Sequence, residues 1–363
     1  MTTLDALVVA DRLQLGPEYR AWLDALEAIG PPPGGIDPPT GQAAARLLAR
    51  LGVDEPDRAA VLDALPTRRD QPELWWLLER AFHAVLADIG RLDSDLQWPM
   101  LPPHVGATGR CFWVFVFLCA VPAIREWHRK HGVPDNIGWD TLADLGRNMG
   151  LYRRRTGCVG LDVAWWIALH FRGALFALGR LQFNPYRIGS GRAGPLFWYD
   201  GETTHAPGAG FRAGVPGPSL SPEVRPTATR ANSGLPAELL GVHIPQAGPL
   251  SPSACDASFR AAARFFAERF PDRASGVATC TSWLMDDQLL EYLPAESNIV
   301  QFQRRFELVP GARDADDSIF RFVFGRVPTR LSDVVPRTTL ERAILEHVAR
   351  GRHWRMRTGW LRL

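Results

Sequence analysis

Lysine is nearly missing from this 363-residue chain. Lys130 is the only one, so the other basic side chains among the 41 are arginine. With 39 acidic residues the formal charge is +2, which excludes a strong overall field for nucleic acid; any basic surface has to be local. Cysteine is also scarce. The five residues, at 111, 119, 158, 255 and 280, include no Cys-x-x-Cys pair. That argues against a disulfide framework or a zinc knuckle and for free thiols in a reducing cytoplasm. The nine histidines show no His-Glu-x-x-His spacing, and there is no Gly-x-Ser-x-Gly elbow and no phosphate loop. Long apolar runs are absent as well. Residues 111–124 (CFWVFVFLCAVPAI) are uncharged but are interrupted by Pro122, and the run falls short of the roughly 20 residues that a bilayer needs. A buried core helix is expected there, with no membrane partner. Acidic and polar residues among the first twenty positions give no signal peptide.

What is present first is helical periodicity. Pro17–Ile29 places Tyr19, Trp22, Leu23, Leu26 and Ile29 on one face. Helices are likewise expected over Gly41–Leu51, with Gly52 as C-cap, over Pro56–Leu65 and over Gln71–Ile89. Two more are expected over Asp140–Met149, with Asp140 as N-cap, and over Gly160–Phe171. The period then changes. Leu175–Arg187 reads as one strand with a bulge at Gly179. Residues 189–236 are rich in Gly, Pro, Ser and Thr, either a lid or a disordered insertion, with Pro195–Asp200 strand-like and Asp200-Gly201 a turn. Strands are expected at Leu240–Pro245, Gly276–Leu284, Ile299–Val309, Ser318–Phe324 and Trp354–Leu363. Helices are expected after the Ser251 N-cap, over Asp286–Leu293 and over Thr339–Arg350. The class is α+β: an all-helical N-terminal domain, 1–155, followed by a mixed α/β domain, 156–363.

Some motifs dissolve on inspection. Gly189, Gly191 and Gly194 spell Gly-x-Gly-x-x-Gly, but Pro195 and a strand-like run follow where a dinucleotide fingerprint needs a helix. Cys280 with His243 offers a thiol and a base, yet Cys280 sits in an apolar strand where cysteine packs rather than reacts. The stretch from Gly241 to Phe306 holds more. A strand (GVHIP) leads through a short loop (QAGPL) into a helix whose N-terminal amides suit a phosphate. The next strand carries Cys280, Thr281, Ser282 and Trp283, and Tyr292 follows.

These segments, with YRRRTGCVGLDVAWWIALHFRGALFALGRLQFNPYR before them, resemble a bacterial (actinobacterial) family of acyltransferase-domain proteins. Its members join a helical N-acyltransferase N-terminal domain to a GNAT-like C-terminal domain. The resemblance implies an amide-forming N-acyltransferase with a coenzyme A thioester as co-substrate, no metal, and a small-molecule or peptide amine as acceptor in biosynthesis. It implies Tyr292 as acid toward the leaving thiolate, His243 as base, and Ser282 orienting the acyl group or sharing the acid role. Gln246, Ala247, Gly248, Ser251 and Ser253 are implied at the pyrophosphate, with Trp283 and Thr281 in the substrate pocket. Two departures stand out. Gln246-Ala-Gly248-Pro-Leu-Ser251 is shorter than the usual loop, and Pro249 donates no N–H. Thr281 stands where the resemblance leads one to expect histidine. The short loop, together with a tail carrying Arg350, Arg352, His353, Trp354, Arg355, Arg357, Trp360 and Arg362, keeps two alternatives in play: an aminoacyl-tRNA or acyl carrier protein donor, and a non-catalytic binding module.

Overall fold

The computed structural model describes residues 4–187, 198–199, 204–205, 238–308 and 312–363. The Gly189–Gly194 motif, the Asp200-Gly201 turn and most of the expected irregular segment lie outside the described residues. Two compact units result, Met1–Phe176 and Ala177–Leu363. A division at 155/156 would cut the last turn of a helix that ends at Thr156.

The first unit is helical: α1 Ala6–Arg12, α2 Arg20–Ile29, α3 Gly41–Arg50, α4 Glu55–Asp63, α5 Pro72–Asp88, α6 Gly106–Lys130, α7 Asp135–Leu142, α8 Asp144–Thr156 and α9 Ala164–Phe171. The helix expected over 140–149 is two helices, and Asp140 lies inside α7 instead of capping it. The apolar run 111–124 is the middle of α6, a helix of 25 residues. By length and composition α6 could cross a membrane, but 78% of its apolar window is buried inside the unit. Pro122, which removes one rung of the helix ladder, faces outward. Around α6, Trp113 meets Trp22, Trp98 and Phe112 at ring-centroid distances of 6.0, 4.8 and 5.2 Å. Such tilted aromatic contacts carry much of a core's apolar burial.

The second unit is built on a seven-stranded sheet of order β1-β2-β5-β6-β9-β7, with β8 also paired to β9. The strands are β1 Phe176–Leu178, β2 Leu181–Arg187, β5 Glu238–His243, β6 Val277–Ser282, β7 Glu307–Leu308, β8 Arg313–Asp314 and β9 Arg355–Arg362; β3 Trp198–Tyr199 and β4 Thr204–His205 form a separate pair. The single strand expected over 175–187 is therefore two. Gly179 and Arg180 form a two-residue turn, with Gly179 at φ 77°, a conformation that primed hairpin turns require and glycine adopts at no cost. Between β5 and β6 runs α10, Pro252–Arg269, which buries Cys255, Phe259, Ala262 and Phe266. The strands expected over 299–309 and 318–324 are instead helices α11, Asn298–Gln303, and α12, Asp316–Phe324, with only β7 extended after the first. Both segments are short, so their period cannot separate helix from strand; Ser297 capping Val300 and Gly325 in the left-handed region decide for helix. The segment expected as a helix over 286–293 is a shorter 3-10 turn, Asp287–Glu291. α13, Thr339–Ala349, opens with a capping box of Thr338 and Glu341.

Two outcomes follow from the helical unit. A Cβ on Gly146 would lie 2.0 Å from the backbone of Gly52, whose turn accepts the Gly146 N–H at Leu51. Gly146→Ala, normally favourable inside a helix, should destabilise by about 1–3 kcal/mol or more, read as a lower urea midpoint. Burial, with Arg125 and His131 adding repulsion, pushes His128 down to about 3 from 6.5. The unfolded chain then binds a proton that the folded chain refuses. Stability is complete above pH 6.5 and falls by about 1.4 kcal/mol per unit below it for this residue. In urea titrations at neutral pH and at about pH 4, His128→Gln should flatten that acid limb.

Candidate active site

β5 and β6 run parallel, but register pairs join them only at Leu240–Ala278 and Gly241–Thr279. Each strand is held from its other side along its whole length: β5 by β2, from Gln182–His243 to Arg187–Glu238, and β6 by β9, from Val277–Arg362 to Ser282–Arg357. The outer pairings hold both strands straight while their shared ladder ends, so the sheet forks after Gly241 and Thr279. At the base of the fork Tyr186 and Thr279 share a 2.6 Å hydroxyl bond, and burial pushes the Tyr186 pKa up. A parallel ladder interrupted inside a sheet leaves room for an extended ligand to take the place of the missing partner.

His243 ends the β5 arm of the fork. Its Nε2 lies 2.6 Å from Asn184 Oδ1. An amide oxygen only accepts, so Nε2 carries the proton and Nδ1 holds the lone pair. Gly241 makes this contact possible, because a Cβ there would stand 2.3 Å from Asn184 Oδ1.

Beyond His243 the chain turns through residues 244–251 into α10. Gln246, Ala247 and Gly248 are exposed, and Gly248 has φ 52°. Ser251 sits at the N-cap position, as expected, but its side chain makes no capping bond, Pro252 follows it, and the first turn holds no acidic residue. Ser253 is exposed on that turn. The end of an eighteen-residue helix is thus left with its positive dipole and first amides unmet by side chains. The loop owes its shape to Arg180, which no sequence signal singles out. Its guanidinium donates to the carbonyls of Pro245 (3.1 Å), Gly248 (3.0 Å) and Pro249 (3.1 Å).

The β6 arm presents Cys280, Thr281 and Ser282. Burial lifts the Cys280 thiol to about 12, which makes it packing and not a nucleophile. Thr281 Oγ1 bonds Thr358 Oγ1 at 2.9 Å. Ser282 Oγ accepts the Leu284 N–H, which starts the turn that buries Trp283 in a cluster with Leu289, Leu293 and Trp354. Tyr292 belongs to the same cluster, and its hydroxyl lies 3.0 Å from His347 Nδ1. His347 Nε2 faces the carbonyl of His353 at 3.3 Å and so carries the ring proton. Nδ1 is then the acceptor, and the Tyr292 proton is directed at it. The structure therefore gathers His243, the 246–253 segment, Thr281 and Ser282 around the fork, and gives the Tyr292 hydroxyl a partner in the core.

The tail ends in a closing strand, β9, and four of its basic residues are paired. Arg350 pairs with Glu346, Arg352 with Glu291, His353 with Asp316 at 2.7 Å and Arg357 with Asp287 at 2.7 Å. Among the described residues one group of potential metal ligands occurs, Asp314, Asp316 and His353, but its atoms already bond one another and the Trp354 N–H.

A helical unit followed by a sheet forked between a parallel pair, with a helix N-terminus beside the fork, defines a GNAT-like acyltransferase. Family models agree: an N-acyltransferase N-terminal domain matches residues 42–173 and a GNAT-like C-terminal domain matches residues 175–361. The chain belongs to this family of acyltransferases. Solved structures similar over 99% of this chain and 100% of their own include an acyltransferase with decanoyl-CoA, at 35% identity and TM-score 0.82. Another holds decanoyl-CoA and teicoplanin, at 36% identity and TM-score 0.82. A third, a tryptophan-to-alanine mutant with octanoyl-CoA, has 35% identity and TM-score 0.83. No curated protein sequence matches the chain.

Asn184, Tyr186 and Arg180 escaped the sequence reading because their roles depend on partners 59, 93 and 65 to 69 residues away. Tyr292→Phe should leave His347 Nδ1 without a donor and cost about 1–2 kcal/mol, measurable as a shift in the urea midpoint.

Proposed function

We propose that this protein moves a medium-length acyl group from coenzyme A to an amine on a peptide-derived acceptor of the glycopeptide type. The observation that carries this reading is the fork beside an uncapped helix N-terminus. One feature receives the amide-bearing arm and thioester of the donor, the other its pyrophosphate. The decanoyl-CoA and teicoplanin bound by relatives spanning the whole chain support the donor and acceptor classes.

In this reading the acceptor amine attacks the thioester carbonyl carbon as the two are held together at the fork. Backbone N–H groups between His243 and Gly248 stabilise the oxyanion. The C–N bond forms, His243 Nδ1 takes the proton from nitrogen, and collapse breaks the C–S bond. The same proton passes to the thiolate sulfur. Asn184 keeps His243 in the tautomer that this requires. A thiol of pKa about 8.5 leaves as thiolate without an obligatory acid, so Tyr292, whose proton serves His347, supports the fold beside the site. Thr281 and Ser282 border the acyl path on the β6 arm. The pairing of Arg352 with Glu291 and of Arg357 with Asp287 draws charge of the tail away from an RNA or carrier-protein donor and favours coenzyme A.

Purified protein incubated with decanoyl-CoA and a glycopeptide bearing a free amine should release thiol and add one decanoyl group to the acceptor by mass. Absence of a thermal shift with every coenzyme A tested would overturn the donor assignment. His243→Ala should lower kcat by about 10²–10⁴ with the fold intact, whereas Tyr292→Phe should retain most of the turnover.

A further inference from the structure

The loop that precedes α10 is poor in the glycines and amides that such loops use. Pro245 and Pro249 donate nothing, and the Ala247 N–H is already bonded to Pro245 at 2.8 Å. What the loop has instead is Arg180. This residue lies at the second position of the β1–β2 turn, remote in sequence, and its place is built in with care. Its own N–H and that of Leu181 reach Ser258 Oγ at 2.8 and 3.3 Å, and Ser258 returns a bond to Ala254 in α10. Gly179 must be glycine on two counts: its φ is positive, and a Cβ would meet Ser258 Oγ at 2.9 Å. The turn is therefore fastened to the first half of α10, and the side chain runs from there across to three loop carbonyls.

The charge of Arg180 is the second point. Three carbonyls accept from it, and among the described residues no carboxylate forms an ion pair with it, whereas Arg305, which also lies at the first turn of α10, is paired with Asp256 at 2.8 Å and donates to Pro252. Both guanidinium groups are near enough to pull down the thiol of Cys255 in that turn, against the larger effect of burial. Partial burial bears on Arg180, lowering its pKa from the value of a free guanidinium, yet the group stays charged at any working pH. An uncompensated cation, half-buried and fixed by its own backbone, stands beside a helix N-terminus with no acidic residue in its first turn.

We propose that Arg180 is the positioning and specificity residue for the phosphate portion of the donor. It replaces the missing loop amides in two ways: it clamps the 245–249 loop in the shape that admits a pyrophosphate, and it supplies the positive charge that the short loop cannot. The proposal rests on the coenzyme A reading above and predicts selectivity for phosphorylated thioesters over the same acyl group on a bare thiol carrier.

The test compares decanoyl-CoA with decanoyl-N-acetylcysteamine, which has the same reacting atoms and no phosphate, in wild type, Arg180→Ala and Arg180→Lys. For Arg180→Ala the KM for decanoyl-CoA should rise by roughly tenfold or more, the worth of a charge-assisted contact, well beyond any loss that both donors share through the altered loop. Arg180→Lys, which keeps the charge but cannot reach three carbonyls, should fall between. Equal loss with both donors would reduce Arg180 to a structural clamp and overturn the proposal, as would an unchanged KM for decanoyl-CoA. Should Arg180→Ala fail to fold, the lysine variant and the wild-type salt dependence decide. Added salt should weaken the coenzyme A donor alone, and no difference between donors overturns the proposal. A wild type that ignores coenzyme A altogether would instead sink the donor reading itself.

Discussion

The molecule turns on one interruption: a parallel pair of strands that bond to each other at two positions and then part while remaining bonded to their other neighbours. Parting costs ladder bonds, and a sheet tolerates that only if the strands are fixed from outside. β2 and β9 do this fixing, antiparallel on either flank. The arrangement explains why the last strand of the chain must return to the middle of the sheet, where Arg357 pairs with Asp287. It also places an imidazole on one arm, since His243 is the last residue of β5 and receives its orientation from Asn184 on the flanking strand.

Electrostatics completes what the fork begins. The helix between the two parted strands starts without a side-chain cap and without an acidic first turn, so its dipole is available to an anion. Buried groups elsewhere are paired or held neutral. Burial lowers the pKa of His347, and its neighbours share its two nitrogens between the Tyr292 hydroxyl and the His353 carbonyl. Buried carboxylates of the first unit are matched instead, Asp144 by Arg147, Asp57 by Arg153 and Asp88 by Arg172.

Much of this was legible beforehand where a local rule operates. Most helices of the first unit and the strand–loop–helix–strand order over 241–282 follow from periodicity, caps and proline placement. The pattern failed where segments were short: Ile299–Gln303 and Ser318–Phe324 read like strands, yet a side-chain cap and a glycine make them helical. Leu175–Arg187 read as one strand because the turn at Gly179 and Arg180 contains no second glycine to announce it. Tyr292 was placed in the chemistry on family resemblance; its hydroxyl bond to His347, 55 residues on, could not be read from the residues around it.

The sequence by itself determined the class of the protein, the two kinds of unit, the identity of the strand that carries His243 and the helix that follows it. These depend on side-chain period and backbone capping, which act over a few residues. The tertiary structure alone decided which nitrogen of His243 holds the proton, that the Tyr292 hydroxyl belongs to His347, and that Arg180 shapes the loop before α10. Each of those depends on a contact between residues far apart in the chain, and hydrogen bonding at such range follows from strand order and register, not from neighbouring residues.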